Sequence, residues 1–251
     1  MIFVLCAAAF LAGFIDSVAG GGGLIQVPAL FICLPSAPIP LLLGINKFSS
    51  FCGTSISVLR YSKNVSIPWK LMIPGMIVAL LFSFLGARAV SHLPSELIRP
   101  FILVLLFGVF LFTLLNKNFG SQEKHKPILK KTRAAVVLGC AIIGFYDGFL
   151  GPGTGGFLIF FFVFYLGMNF LKASASAKLI NWSTNIAALT YFAAIGMIDY
   201  RMAVPMAAAN IGGNYLGSHL AIKKGSPFIR FIFLWVVSMI LLKLAFDFIF
   251  K

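Results

Sequence analysis

Acidic side chains are scarce in this sequence. Six Asp and Glu face twenty Lys and Arg in 251 residues, and the four types together make up only 10%. A soluble domain needs far more polar surface, so this composition excludes one. Histidine is also rare, and His92, His125 and His219 have no spacing for a metal site or a catalytic triad. Cys6, Cys33, Cys52 and Cys140 fall inside apolar runs without disulfide or metal spacing, and read as buried free thiols. The glycine cluster GGGGLIQ lacks the Lys of a phosphate-binding Walker A loop, so nothing points to ATP hydrolysis, to an enzyme or to a cofactor. MIFVLCAAAF lacks the basic start of a signal peptide and reads as the first membrane segment.

What is present is apolar: 60% of the residues are hydrophobic, which makes the chain an integral membrane protein with about eight segments. Lys and Arg sit in short loops between apolar runs, as the positive-inside rule predicts, so the net charge of +14 reflects membrane orientation rather than nucleic-acid binding. The apolar runs occupy 1–18, 24–34, 41–61, 69–90 and 98–116, then 134–150, 155–171, 176–197, 202–221 and 228–250. Between the two sets lies a basic linker, 117–133, the only long polar connection, expected on the cytoplasmic side.

The first half, 1–116, and the second, 134–251, read as a duplicated unit. Gly13, Phe14, Asp16, Gly20 and Gly22 recur 131 positions later as Gly144, Phe145, Asp147, Gly151 and Gly153. Lys47 recurs as Lys178 and Pro74 as Pro205, so intramembrane charges and helix breakers repeat in register. As one helix, residues 134–171 would run roughly 57 Å, nearly twice a hydrocarbon core of about 30 Å. The glycines must therefore fold this segment back. A glycine-broken hairpin plus about three further helices per half gives an odd number of crossings, and so two inverted repeats. Loop charges favour that arrangement: residues 60–70, the central linker, Lys172, Lys178, Lys223 and Lys224 fall inside. Lys47, Arg88, Arg99, Arg201, Arg230 and Lys251 fall outside.

Irregular backbone at membrane depth is tolerated where it is buried in protein or lines a cavity. Broken helices in transporters aim N-terminal N–H groups at anionic substrates. Gly20, Gly21, Gly22 and Gly23 in the first half, with Gly151, Gly153, Thr154 and Gly155 in the second, are the candidate walls of a central site. The alternative is that small residues merely allow close helix packing. Asp16 and Asp147, one turn before the glycines, are either protonatable coupling groups or braces for the hairpins. Lys47 shares a helix face with Ser50 and Thr54, and Lys178 shares one with Asn181 and Asn185. A cation above a polar stripe suits an oxyanion, although a lysine that snorkels to the interface would look the same in sequence. Pro74 and Pro205 add hinge points near mid-segment.

GFIDSVAGGGGLIQVPAL, GINKFSSF, GFYDGFLGPGTGGF and AKLINWSTNIAAL together resemble the sulfite exporter TauE/SafE family of membrane permeases, particularly its YfcA-like members. The resemblance covers nearly the whole chain in the expected order. It implies a multi-pass transporter of the bacterial cytoplasmic (inner) membrane, carrying small anions, often sulfur-containing oxyanions or organosulfonates. This chain has AK where the first half has NK. The expected function is a secondary transporter working by alternating access. An anion channel built from the same elements, or a carrier of a non-sulfur organic anion, are the alternatives. The expected partners are a small anionic substrate and the lipid bilayer, with a homodimer left open.

Overall fold

In a computed structural model, residues 1–90, 123 and 130–249 are described. The run expected at 98–116, Arg99, Lys251 and linker residues 117–129 other than Glu123 lie outside the described residues.

Helix α1 (Ile2–Ala19) stops because Gly20 turns left-handed, with φ 75°, and donates its N–H to the Asp16 carbonyl. Three residues later α2 (Gly23–Cys33) begins, with Pro28 inside it. A prolyl-rich turn leads to α3 (Ile39–Asn64), which has Pro40 in its first turn, where the missing N–H costs nothing. Pro68 precedes α4 (Trp69–Ala89), and Pro74 lies within it. Helix α5 (Lys130–Phe149) already includes the last residues of the basic linker. The second glycine cluster separates it from α6 (Thr154–Leu166), which ends at a left-handed Gly167. The Asn169 side chain accepts the Lys172 N–H at the start of α7 (Phe170–Ala194). The last helical stretch, α8 (Tyr200–Ile249), is broken at Gly225 (φ 70°, ψ −162°) and contains Pro205 and Pro227.

Among the described residues three helices, α1, α4 and α5, are long and apolar enough to cross a membrane, and α2 and α6 are shorter apolar helices. Helices α3 and α7 are longer but carry buried Lys, Asn, Ser and Thr. The protein is thus an all-α polytopic membrane protein. Its outward surface is apolar, with Phe3, Ile32, Leu138, Ile142 and Phe231 all more than 60% exposed, as a lipid-facing surface requires.

Lipid is as apolar as leucine, so close packing rather than the hydrophobic effect must hold these helices together. Glycines supply the close approach. Gly13 and Gly217 lie against backbone of the facing helix where α1 and the first part of α8 run side by side in the same direction. Gly144 and Gly148 meet Ala79 and Ser83 in the same way where α5 runs along α4. Helix α2 folds back on α1, with Leu30 beside Leu5 and Ala9, and Leu24 beside Ile15. Helices α3 and α7 cross in opposite directions, Phe51 stacking on Trp182 at 6.0 Å while Leu43 packs with Ala188 and Phe192. Beyond Gly225 the chain turns inward again, bringing Phe233 onto Phe170 (5.6 Å) and Val236 against Gly21.

Candidate functional site

The two glycine breaks meet at the centre. Gly20 and Gly155 touch backbone to backbone, and the Gly156 N–H donates to the Gly20 carbonyl at 3.0 Å. Gly23 sits beside Pro152, and Gly22 packs on Ala12 and the Asp16 side chain. Left-handed Gly151 and Gly153 (φ 86° and 85°) turn the second break.

A broken helix leaves carbonyls and N–H groups without intrahelical partners. Here the carbonyls are served from within. Tyr61 Oη donates to Ser17 O at 2.7 Å, and Ser174 Oγ donates to Val18 O at 3.0 Å. Thr154 Oγ1 donates to Gly151 O at 2.7 Å, and Tyr146 Oη donates to Pro152 O. By contrast, neither α2 nor α6 receives a side-chain cap at its N-terminus.

Beside the breaks lie two ion pairs whose partners are exchanged between the two halves of the chain. Lys47 Nζ donates to Asp147 Oδ2 at 2.8 Å, with the side chains 3% and 2% exposed. Asn185 Oδ1 accepts from the same ammonium at 3.2 Å, and Asn185 Nδ2 faces Asn181 Oδ1 at 3.5 Å. Lys47 Nζ stands 3.3 Å from where a side chain on Gly151 would begin. The second pair joins Lys178 Nζ to Asp16 Oδ2 at 2.7 Å, but without the angles of a hydrogen bond. Lys178 is fully buried there, whereas Asp16 keeps 14% of its side chain exposed.

Lys47 and Lys178, 3% and 0% exposed, therefore do not snorkel. Each lies eight residues past a helix start, at Ile39 and Phe170, roughly 12 Å along the axis. They drop out of the loop-charge comparison made from sequence. Thr54 is buried and its hydroxyl has no partner among the described residues, while Ser50 is half-buried. Sequence reasoning identified both lysines and both aspartates but did not pair them. The available signal was that ionisable groups at membrane depth are found paired with one another. It also passed over Gln26, Asn210 and Asn214, polar residues in apolar segments that are buried together.

Two helix interruptions and two buried ion pairs at the core of a helical membrane protein are features found in transporters. The chain belongs to the sulfite exporter TauE/SafE family, whose profile matches residues 5–244. It is 34% identical over 250 residues to a probable membrane transporter protein, YfcA, of Escherichia coli K12, covering 98% of this chain and 90% of that one. A probable membrane transporter protein, ORF9, of a Sinorhizobium species is 33% identical over 232 residues, covering 92% and 87%. A third, from Haemophilus influenzae, is 29% identical over 247 residues, covering 98% and 95%. No solved structure matches at a significant level. The protein is accordingly a multi-pass membrane transporter of the inner membrane.

Proposed function

We propose that the protein is a secondary transporter of small anions, sulfur-containing oxyanions or organosulfonates, working by alternating access around the two touching glycine breaks. The observation that carries this reading is the exchange of ion-pair partners, Lys47 with Asp147 and Lys178 with Asp16, both deep in the protein. Each pair is neutral. An anion gains a lysine only when the aspartate lets go of it, and protonation of the aspartate is the simplest way to achieve that. Substrate and proton then enter together, which couples uptake to a proton gradient. The N-termini of α2 and α6, which carry no side-chain cap, add partial positive charge, and Lys47 stands beside Gly151 just ahead of α6. Thr54 and Asn181 complete a polar lining.

The halves are read as inverted repeats because α2, α3 and α4 start at 23, 39 and 69, while α6, α7 and α8 start 131 residues later at 154, 170 and 200. Exchange of the halves also maps the α1–α8 packing onto the α5–α4 packing. Helix α5 follows α4, and α4 returns antiparallel to α3 and α1, so α5 runs against α1. Arg60, Lys63, Lys70, Lys130, Lys131, Lys172, Lys223 and Lys224 gather at one end, where Leu171 N–H donates to Ser226 Oγ. Arg230, placed outside from sequence, lies just past the Gly225 kink at this same end. Arg88 and Arg201 lie at the other end, so the crowded end is assigned to the cytoplasm.

In proteoliposomes, uptake of one of sulfite, sulfate, thiosulfate or sulfoacetate should saturate, show counterflow and rise with an inward proton gradient. Single-channel currents at fixed voltage would overturn the carrier mechanism. Orientation has its own check. In a cysteine-free background, cysteine at Gly225 should react only from the cytoplasmic side, and cysteine at exposed Ser36 only from outside. Labelling at 225 from outside would remove the inverted arrangement.

A further inference from the structure

Away from the ion pairs, a chain of buried hydrogen bonds crosses from α3 through α8 to α2. Ser57 Oγ donates to Asn214 Oδ1 at 2.7 Å. Asn214 Nδ2 donates to Asn210 Oδ1 at 2.7 Å and to the Asn210 carbonyl at 3.1 Å. Asn210 Nδ2 donates to the Ala9 carbonyl at 3.0 Å and to Gln26 Oε1 at 2.9 Å. All four side-chain residues are at most 2% exposed.

The direction of this chain is not a free choice between amide flips. A backbone carbonyl only accepts, so Ala9 O fixes the NH2 of Asn210 and Asn210 O fixes the NH2 of Asn214. Gln26 must then turn its oxygen to Asn210, because the flipped amide would set two NH2 groups face to face. Its Nε2 is left with no acceptor among the described residues, at 0% exposure. A buried donor in that state is costly unless something brings an acceptor to it. Gln26 stands one turn past Gly22, and Gly22 packs on Asp16, the partner of Lys178.

We propose that Gln26 is an oxyanion-binding residue of the transport site, donating its side-chain N–H groups to an oxygen of the bound substrate. This rests on the anion-carrier reading and adds a specificity element to it. In the repeat register the counterpart of Gln26 is Phe157, and those of Asn210 and Asn214 are Ala79 and Ser83, so the amide chain exists in one copy. The site is lopsided and can distinguish one end of a substrate from the other.

The test uses the purified full chain and titrates sulfite, sulfate, thiosulfate and sulfoacetate by ligand-induced thermal stabilisation. Gln26→Glu keeps an oxygen for Asn210 and removes the donor. Gln26→Met removes both but leaves Asn210 bonded to Ala9. Gln26→Met buries no charge and should fold, and each variant that folds should bind the stabilising oxyanion at least tenfold more weakly. Ser57→Ala, at the far end of the chain, should alter affinity less than twofold. Unchanged affinity in folded Gln26→Glu and Gln26→Met would overturn the assignment of Gln26 alone. If none of the four anions stabilises the wild-type protein, the anion-carrier reading falls and takes this inference with it.

Discussion

Lys47→Ala should lower stability by about 3–5 kcal/mol and abolish uptake, because it strands a carboxylate that has no other cation. Asp147 is 2% exposed and accepts only from Lys47 among the described residues. Adding Asp147→Asn to Lys47→Ala should recover most of the lost stability, since a neutral amide needs no counter-ion, while uptake stays abolished. Thermal unfolding in detergent and isotope uptake in vesicles separate the two effects. A double variant as unstable as the single one would mean that the ion pair does not hold α3 to α5. A double variant that still transports would take Lys47 out of the substrate path. The same cycle on Lys178 and Asp16 should show a smaller stability term, because water reaches the 14% of Asp16 that is exposed. Arginine should rescue Lys47 poorly, because a wide, planar fork must fit where Lys47 Nζ already stands beside Gly151.

Much of the architecture was legible in the sequence because the membrane reduces the signal to hydropathy and its interruptions. Helix boundaries at the glycine clusters follow from residues that cannot continue a helix. The two lysines and two aspartates stood out for the same reason, since charge at membrane depth is rare. What did not follow was who pairs with whom. Lys47 and Asp147 are a hundred residues apart, and Lys178 and Asp16 farther still, so the pairing depends on how the halves interlock. Lys47 and Lys178 could pass for interfacial lysines in the sequence because α3 and α7 start ahead of the apolar runs at 41 and 176, α3 with Pro40 in its first turn. The amide chain from Ser57 to Gln26 was invisible because its members lie on three helices, and because no counterpart in the other half draws attention to them.

Gly155→Ala should prevent a folded, active protein from forming, whereas Gly156→Ala, one residue on, should be tolerated or mildly stabilising. The two glycines are adjacent in α6 but face different surroundings. A methyl group on Gly155 would fall on the backbone of Gly20, and one on Gly20 would fall on Gly155, so no rotamer change makes room. Overpacking a core costs about 1–3 kcal/mol when side chains can shift, and fixed backbone on both sides puts this case at or above that range. At Gly156 the nearest atoms are Phe233 Cε2 at 3.7 Å and the Ala19 carbonyl at 3.8 Å, which is ordinary contact. There the helix gains up to about 1 kcal/mol from exchanging Gly for Ala, and the N–H to Gly20 O is kept. Size-exclusion behaviour and uptake for the two variants side by side decide the matter. Loss of both would make small size itself the requirement along this stretch, as expected if substrate slides past it. A folded, transporting Gly155→Ala would mean that the breaks separate during transport, and that their contact is only one of two states, as the proposed alternating access requires.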